Sequence, residues 1–352
     1  MLFYLLYLLV IIYLCGPFKL KSSLNKKNYF NKRKYGYILA IFLIIIISSI
    51  RYGIGFDWHN YDEIIAWYGR RGLNLTRYEF FDNFIFYIGG VLNNSYISFA
   101  IFAVLTYGIL AYYIKKYSGN KFESLIIYMS LFYLPSLSTI RQALAVVIVF
   151  SGYRFIREKK ALKYAVTVLI AMGFHSYAFI GFVLYPLYYV SIKALVLLGL
   201  GGLVIFNYLL PIFVAKFMPD STFYLASIAD SSGNFQKIVY AVVLIYCICL
   251  FFLTKKQNIK DELYYNEALS LIKVCSFGAL LPFLLGGHTG GRVAEYFLIY
   301  YILVVPLCNK YLNLKIRVIT LIPFTLSYFG YLYATLSSGE AYIPFVTLFN
   351  IT

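Results

Sequence analysis

Three arginines stand where an apolar run meets a turn. Arg51 follows the apolar run 38–50 in "SIRYGIGFDWHNYDEI", Arg141 follows Pro135 in "YLPSLSTIRQALA", and Arg292 follows two glycine pairs in "LLGGHTGGRVAEYF". The planar guanidinium group of arginine matches the geometry of a phosphate and binds it through two parallel hydrogen bonds. We therefore interpret these arginines as candidate contacts for a phosphate or diphosphate group.

Arg141 is predicted to lie in the first turn of a helix. Thr139 and Gln142 have the spacing of a capping box, which would start that helix just before the arginine. A helix N-terminus attracts anions through its free N–H groups, so a cation there is unfavourable unless an anion binds as well. The alternative is an arginine that neighbouring carbonyl groups hold in place.

The glycine-rich turn before Arg292 could bring the backbone close to a ligand. Four glycines surround His288, Arg292 is predicted to open the next helix, and Tyr296 follows one turn later on the same helix face. Glycines in membrane helices also serve close helix packing, which is the alternative interpretation.

Three residues could accept a proton from a hydroxyl group. Asp57 follows the glycines after Arg51, His175 lies in the turn "AMGFHSYAF", and Glu295 belongs to the helix that Arg292 opens. A carboxylate or an imidazole within hydrogen-bond reach of a hydroxyl group can act as its general base. For His175, a structural position at a helix end is the alternative.

The composition identifies the medium in which these residues act. Of 352 residues, 62% are hydrophobic and only 13% are charged, and apolar runs recur along the whole chain. Because a backbone within a bilayer must satisfy its own hydrogen bonds, each spanning segment should be an α-helix. The sequence thus predicts an all-α, polytopic integral membrane protein with a single transmembrane domain over residues 1–352.

The distribution of Lys and Arg orients the chain. Loop 19–34 holds seven basic residues and no acid, so we place it in the cytoplasm and the N-terminus outside. Segment 80–93 is predicted to be re-entrant or interfacial within an outer loop 51–95, and 215–237 forms a second outer loop. The twelve predicted spans are roughly 1–18, 36–50, 96–114, 124–138, 140–154, 161–174, 177–190, 194–214, 238–254, 268–286, 292–309 and 318–335.

This topology also accounts for the net charge of +17, which could otherwise suggest nucleic acid. Most of the excess is lysine on the cytoplasmic side, next to anionic headgroups of the bilayer. We therefore expect no nucleic-acid partner. The five cysteines lie within apolar runs and indicate neither a metal site nor a disulfide.

The outer side, in contrast, is rich in arginine. Besides the three arginines above, the outer loop holds three more, which we expect to pair with nearby acids: Arg70, Arg71 and Arg77. The four spans from 124 to 190 have about 14 or 15 residues, or roughly 21 to 23 Å, against a hydrocarbon core of about 30 Å. Their outer turns should therefore lie in a crevice below the membrane surface, where polar residues are typically functional.

The ordered set "RYGIGFDWHNY", "RQALA", "LIAMGFHSYAF" and "GRVAEYF" resembles the EpsG family of bacterial exopolysaccharide proteins, a branch of the Wzy-type polymerases. The resemblance covers about residues 1–310. His59 beside Asp57 has no place in the family pattern, which leaves the identity of the base open. The residues that match the family's positions are Arg51, Asp57, Tyr61, Arg141, Gln142 and His175.

The resemblance implies a GT-C-like membrane glycosyltransferase that joins undecaprenyl-diphosphate-linked repeat units at the outer face of the bacterial cytoplasmic membrane. It implies no metal and no other cofactor, and a chain-length regulator and a flippase as further partners. The arginines would stabilise the departing diphosphate, and Asp57 is favoured over His175 as the base, with Glu295 third. The expected diphosphate or substrate contacts are Arg51, Tyr61, Arg141, Gln142, His288, Arg292 and Tyr296.

Two other classes of protein share parts of this pattern. A flippase or transporter of lipid-linked glycans also has many helices and charges within the membrane, although we see no internal repeat of the kind that transporters show. A ligase of the O-antigen type, or a membrane acyltransferase that uses a histidine, needs nearly the same groups. The sugar, its linkage and the kind of polymer, whether O-antigen, capsule or exopolysaccharide, stay open.

Overall fold

A computed structural model describes residues 2–15, 26–191, 234–256, 262–285, 287–310, 312, 314–336 and 342–350. These residues form an all-α polytopic membrane protein with one short antiparallel strand pair, β1 (Arg51–Tyr52) and β2 (Val346–Thr347). The helices are α1 (Leu2–Cys15), α2 (Lys26–Ile50), α3 (Trp58–Arg71), α4 (Phe80–Val91), α5 (Ser95–Tyr117), α6 (Lys121–Tyr128), α7 (Leu134–Ser138), α8 (Ile140–Ser151), α9 (Tyr153–Arg157), α10 (Ala161–Met172), α11 (Gly181–Tyr189), α12 (Asn234–Lys256), α13 (Glu262–Leu284), α14 (Gly287–Leu298), α15 (Tyr301–Asn309) and α16 (Leu314–Leu336).

Each predicted span overlaps helices of the structure wherever the chain is described, although the bounds differ in places. Helix α2 begins ten residues before span 36–50, and spans 140–154 and 292–309 are each divided between two helices. Span 194–214 and most of the loop 215–237 lie outside the described residues. Span 124–138 runs through α6, a π-helical turn at Met129–Tyr133, and α7. Helices long and apolar enough to cross a bilayer occur at Ser95–Tyr117, Glu262–Leu284 and Lys315–Tyr333, and the pair Thr289–Leu298 and Tyr301–Asn309, bent by 45°, adds a fourth candidate span.

Helix α8 lies at the centre of the bundle. Most of its residues are buried on every side, which explains why its sequence has no polar stripe. Its 12 residues extend about 18 Å, whereas the 23 residues of α5, which packs against it, extend about 35 Å. Helix α8 is therefore much shorter than its neighbour α5, with Arg141 in its first turn, and a recessed outer crevice at that end stays a prediction.

The outer loop folds into the helical hairpin α3–α4. Gly69 and Gly90 meet where the helices cross, and a Cβ atom added to Gly69 would lie 2.4 Å from the carbonyl oxygen of Gly90. Helix α4 exposes an apolar row with a spacing of four residues, Phe80, Phe84 and Ile88. Its 12 residues extend only about 18 Å. An interfacial position for α4 therefore stays a prediction that its length and exposed row support.

Residues 342–350 return to the turn between α2 and α3. Strand β2 pairs with β1 in the register Arg51–Thr347, and the Tyr342 hydroxyl lies 2.5 Å from Ser138 Oγ and donates to the Leu134 carbonyl at 3.1 Å. Ser138 Oγ in turn accepts the backbone N–H of Phe56 at 3.0 Å. This C-terminal clasp, residues 342–350, therefore holds the turn that leads into α3 and lies on the same side of the bundle as Arg51.

Candidate active site

A cleft of about 630 Å³ opens at the end of the bundle that carries the C-terminal clasp. Its lining combines carboxylates, guanidinium groups and aromatic rings: Asp57, Asn60, Tyr61, Glu63, Ile64, Trp67, Arg70, Arg77, Tyr78, Arg141 and Arg292. The predicted site residues that it brings together are Asp57, Tyr61, Arg141 and Arg292. The cleft lining does not include five other predicted site residues whose side chains the structure describes, namely Arg51, Gln142, His175, Glu295 and Tyr296.

The two sides of the cleft come from different parts of the chain. Helix α3 supplies one side, because lining residues recur along it from Asp57 to Arg70 at intervals of one helical turn. Helices α8 and α14 supply Arg141 and Arg292 on the other side, and the loop between α3 and α4 adds Arg77 and Tyr78. The cleft therefore depends on segments about 230 residues apart, which the bundle brings together.

Arg141 lies in the first turn of α8, as predicted. Its Nη1 is 2.5 Å from a carboxylate oxygen of Glu79 and 3.3 Å from Asp82, and its guanidinium carbon lies 5.0 Å from the centre of the Tyr78 ring. Both acids accept their hydrogen bond from this same nitrogen. Arg141 is thus anchored by acids of α4 and its flank, and neighbouring carbonyls do not hold it.

The predicted capping box is wrong. Thr139 makes no side-chain cap on α8, because its hydroxyl donates to the Pro135 carbonyl at 3.1 Å. The side chain of Gln142 points to α14, where its amide donates to the Arg292 carbonyl at 2.9 Å and to Glu295 Oε2 at 2.7 Å. Gln142 is buried and does not line the cleft, so it ties α8 to α14 and thereby sets Arg141 beside Arg292.

Arg292 lines the cleft, but it does not open its helix. Helix α14 begins at Gly287, which places Arg292 in the second turn and removes the argument from a helix N-terminus. Gly290 is a packing glycine, since a Cβ atom there would lie 2.5 Å from the Cα of Pro282 in α13. Within the described residues, no carboxylate lies within 4.0 Å of the Arg292 guanidinium group. Its charge is therefore available to an anion in the cleft.

Arg51 does not reach the cleft, which corrects its expected contact with a diphosphate. Its side chain is 1% exposed and donates to the backbone carbonyls of Ser48, Ile54 (3.1 Å) and Leu137 (3.0 Å), with its guanidinium carbon 4.9 Å from the centre of the Phe99 ring. A buried cation is costly unless its N–H groups are paired, and these carbonyls pair them. Arg51 therefore fixes the turn that precedes Asp57.

Of the three candidate bases, Asp57 is the one in the cleft. It occupies the N-cap position of α3, yet its side chain makes no capping hydrogen bond, and the described residues give it no ion pair. Glu295 accepts from Gln142 and lies against a small inner cavity instead. Its expected role as a base has no support from this position, because the inner cavity has room for about one water molecule.

His175 acts as a helix cap. It precedes a 3₁₀ turn at Ser176–Ile180, and its Nδ1 accepts the backbone N–H of Tyr177 at 3.3 Å. Burial, and then the nearby Arg141, lower its pKa from 6.5 to about 4, so the imidazole is neutral at pH 7. A ring whose Nδ1 lone pair is engaged holds its proton on Nε2 and offers no free lone pair to a substrate hydroxyl.

Of the remaining predicted substrate contacts, one lines the cleft, one is buried away from it, and one has no described side chain. Tyr61 lines the cleft beside Arg141, and burial raises its pKa to about 12, so its hydroxyl stays a hydrogen-bond donor at neutral pH. Tyr296 is fully buried and lies away from the cleft lining. His288 belongs to the first turn of α14, but its side chain lies outside the part of the structure that is described.

Sequence reasoning missed several cleft residues. Arg70 and Arg77 were expected to pair with acids, but the described part of the chain shows no ion pair for either. The guanidinium carbon of Arg77 instead lies 4.0 Å from the centre of the Trp67 ring. The periodic spacing of Asn60, Ile64 and Trp67 from Asp57 was the available signal, because it places them on one helix face.

Asn83 supports the loop that carries Arg77 and Tyr78. Its side chain is fully buried, and its amide nitrogen donates to the carbonyls of Leu75, Tyr78 and Glu79 at 2.8–3.2 Å. Its side-chain oxygen accepts the backbone N–H of Tyr78 at 3.1 Å and the hydroxyl of Tyr68. This one amide therefore fixes the loop against α4, and nothing in the local sequence pattern marks it.

Comparisons with known proteins agree with this arrangement of membrane helices. No curated protein and no solved structure matches the chain. The EpsG family, however, matches residues 34–347, which is nearly the whole chain and includes every residue of the cleft lining. The chain therefore belongs to the EpsG family of Wzy-type exopolysaccharide polymerases.

Proposed function

We propose that this protein extends a polysaccharide at the outer face of the bacterial cytoplasmic membrane by transferring a glycan from undecaprenyl diphosphate to an acceptor glycan. The observation that carries the proposal is the cleft itself, which brings the guanidinium groups of Arg141 and Arg292 together with the carboxylate of Asp57. Among the described residues, Arg292 and Asp57 have no ion pair. Outside the cell there is no supply of nucleotide sugars, so the donor must arrive on a lipid. Its leaving group is then a diphosphate.

The leaving group would bind between Arg292 and Arg141. Arg292 has no acidic partner among the described residues, and Glu79 and Asp82 both hold Arg141 through Nη1. Tyr61 adds a hydroxyl donor. As the acceptor hydroxyl attacks the anomeric carbon, the bond from that carbon to the diphosphate oxygen breaks and its electron pair leaves with the diphosphate. Fixed guanidinium groups stabilise this developing charge, which is the role that a divalent cation plays in other transferases.

The proton of the attacking hydroxyl would go to Asp57. This carboxylate faces the same cleft as the arginines, and no hydrogen bond or ion pair among the described residues engages it. His175 is a weaker candidate because its Nδ1 is already an acceptor within the fold. Asp57 therefore combines position and availability, which a general base requires.

The test is elongation of a lipid-linked repeat unit by purified protein carrying Arg292→Lys. Lysine keeps the charge but loses the two-pronged hydrogen bonding, and the loss of one charge-assisted bond, about 1.5 to 3 kcal/mol, should reduce elongation about tenfold or more. Arg71→Lys is the matched control, because Arg71 lies on α3 outside the cleft lining. Full elongation by Arg292→Lys would remove the arginine from the site. Movement of the repeat unit across vesicles without elongation would instead identify a flippase.

A further inference from the structure

We infer that the cleft-facing side of α3 is a saccharide-binding surface, which holds the acceptor glycan through Asn60, Glu63 and Trp67 and delivers its hydroxyl group to Asp57. The inference rests on the proposed function. The diphosphate would occupy the side of the cleft formed by Arg141 and Arg292, and the inference names a ligand for the opposite side. None of these three residues is required to stabilise the leaving group.

The residue types on this side suit a sugar. The amide of Asn60 can donate and accept hydrogen bonds, and the carboxylate of Glu63 accepts them, so together they match the donors and acceptors of sugar hydroxyls. Trp67 supplies a large apolar surface for the C–H face of a pyranose ring. Among the described residues, Glu63 takes part in no ion pair, so its oxygens are not already committed to a cation.

The indole of Trp67 is held in place before any ligand binds. The Arg77 guanidinium carbon lies 4.0 Å from its ring centre, and the Tyr68 ring meets it edge to face at 5.1 Å. Arg77 in turn belongs to the loop that Asn83 anchors. An indole covered on one face by a cation can offer a ligand only its other face and its edge. Such preorganisation lowers the entropic cost of binding a flexible glycan.

The dimensions of the surface set the kind of ligand. Asp57 and Trp67 are ten residues apart on one helix face, which corresponds to about 15 Å along the axis. That length suits a short oligosaccharide with one hydroxyl at Asp57, and it exceeds a single sugar ring. Glu63 lies between these two ends, and Arg70 and Arg77 line the same side of the cleft. The surface therefore fits a short, hydroxyl-rich oligosaccharide.

The chain contains two tryptophans, which permits a direct binding assay. Trp58 is buried and stacks on Phe99, so Trp58→Phe leaves Trp67 as the single indole reporter. The full chain in detergent would be titrated with oligosaccharides released by partial hydrolysis of the polymer of the source strain, which carry neither lipid nor diphosphate. We expect a saturable change in Trp67 emission. Calorimetric titration of the protein with both tryptophans should give the same Kd if Trp58→Phe folds poorly.

Two variants and two controls decide the inference. Asn60→Ala and Glu63→Gln should each raise the Kd for the oligosaccharide at least tenfold, whereas Asp62→Asn, on the same helix but outside the cleft lining, should change it less than twofold. Oligosaccharide binding that is absent, or that Asn60→Ala and Glu63→Gln leave unchanged, would overturn the inference. Arg292→Lys should bind the oligosaccharide normally, so failure of the proposed diphosphate chemistry is measured separately, by elongation.

Discussion

At the scale of single residues, the charged side chains in and near the site differ in whether another group of the protein already pairs with them. Asp57 and Arg292 have no ionic partner within the described residues, while Arg141 is paired and Arg51 is enclosed by carbonyls. Ionisable residues within a membrane protein typically pair with one another or take part in function. Asp57 and Arg292 are therefore free of competing ion pairs, whereas Arg141 would bind a diphosphate while Glu79 and Asp82 hold its Nη1.

Asp57→Asn is the most direct test of the proposed base. The amide keeps the shape of the side chain but removes the basic oxygen, so elongation should fall by roughly 10² to 10⁴ while donor binding is retained. Both are measured with purified protein and a lipid-linked repeat unit. Asp62→Asn, which lies outside the cleft lining, provides the matched control. Near-normal elongation by Asp57→Asn would exclude Asp57 as the base.

His175 predicts a dependence of stability on pH. Its pKa is about 4 in the folded protein and 6.5 ordinarily. Between these two pH values the unfolded chain therefore binds a proton at His175 that the folded protein does not bind. The contribution of neutral His175 is complete above about pH 6.5 and is lost progressively as the pH falls towards 4. Thermal unfolding in detergent should show this loss, and His175→Asn, which keeps an N-cap acceptor without titrating, should show less of it. An equal pH dependence in both proteins would contradict the assignment.

Arg51 shows where residue-level prediction fails. Its position after an apolar run correctly predicts that Arg51 directly follows the end of α2. Whether that arginine points into a cleft or into the protein depends on Leu137, which lies 86 residues away and supplies one of its carbonyl partners. A contact at that distance leaves no trace in the local pattern.

At the scale of elements, the α3–α4 hairpin depends on two glycines that face each other. In Gly90→Ala the new Cβ would lie 2.5 Å from the backbone nitrogen of Gly69, so the two helices must separate. We expect a loss of about 1 to 3 kcal/mol in the free energy of unfolding and a fall in elongation, because α3 forms one side of the cleft. Both quantities can be measured on purified protein.

Gly108→Ala is the control for this prediction. Gly108 lies in α5, and a Cβ atom there would meet nothing within 4 Å, so alanine should be neutral or slightly stabilising. Equal stability of the two variants would show that the α3–α4 contact tolerates separation. The close contact between Gly69 and Gly90 would then not be needed for stability.

The helices themselves were predictable, whereas several of their ends were not. Apolar runs that end at charged loops located the helices that the structure describes, since a segment within the bilayer must be apolar and satisfy its own backbone hydrogen bonds. The start of α14 was misplaced because Gly287 to Gly291 continue the helix. Thr139 failed as a cap because its hydroxyl bonds back to Pro135. The hydroxyl of Thr139 could bond either to the first turn of α8 or to the Pro135 carbonyl, and a sequence motif does not show which bond forms.

At the scale of the whole molecule, the orientation can be tested by labelling. The cytoplasm should hold the turn at Lys159, while Arg71 in the outer loop should face outside. In intact cells, a membrane-impermeant thiol reagent should label Arg71→Cys but not Lys159→Cys, and lysis should expose the latter. The unsubstituted protein measures background from native cysteines. Labelling of Lys159→Cys in intact cells would reverse the orientation and move the cleft to the cytoplasm.

The general position of the site was predictable at this scale, but its composition was not. Short central spans predict a recessed outer crevice, and the 12-residue length of α8 supports that prediction without testing its depth. The cleft lining, however, depends on how α3 folds back over the bundle and on where Asn83 holds the loop of Arg77. These are tertiary contacts between a polar loop and buried helices, and hydropathy does not encode them.

The C-terminal clasp also bears on how the protein is made. Tyr342 bonds to Ser138, which is 204 residues earlier, and through Ser138 it secures the backbone beside Asp57. Membrane helices enter the bilayer in order as they leave the ribosome, so most of the bundle is assembled before Tyr342 exists. A chain that ends before Tyr342 would lack the hydrogen bond that supports Ser138, whereas the contacts of Arg51 would still hold the turn before Asp57.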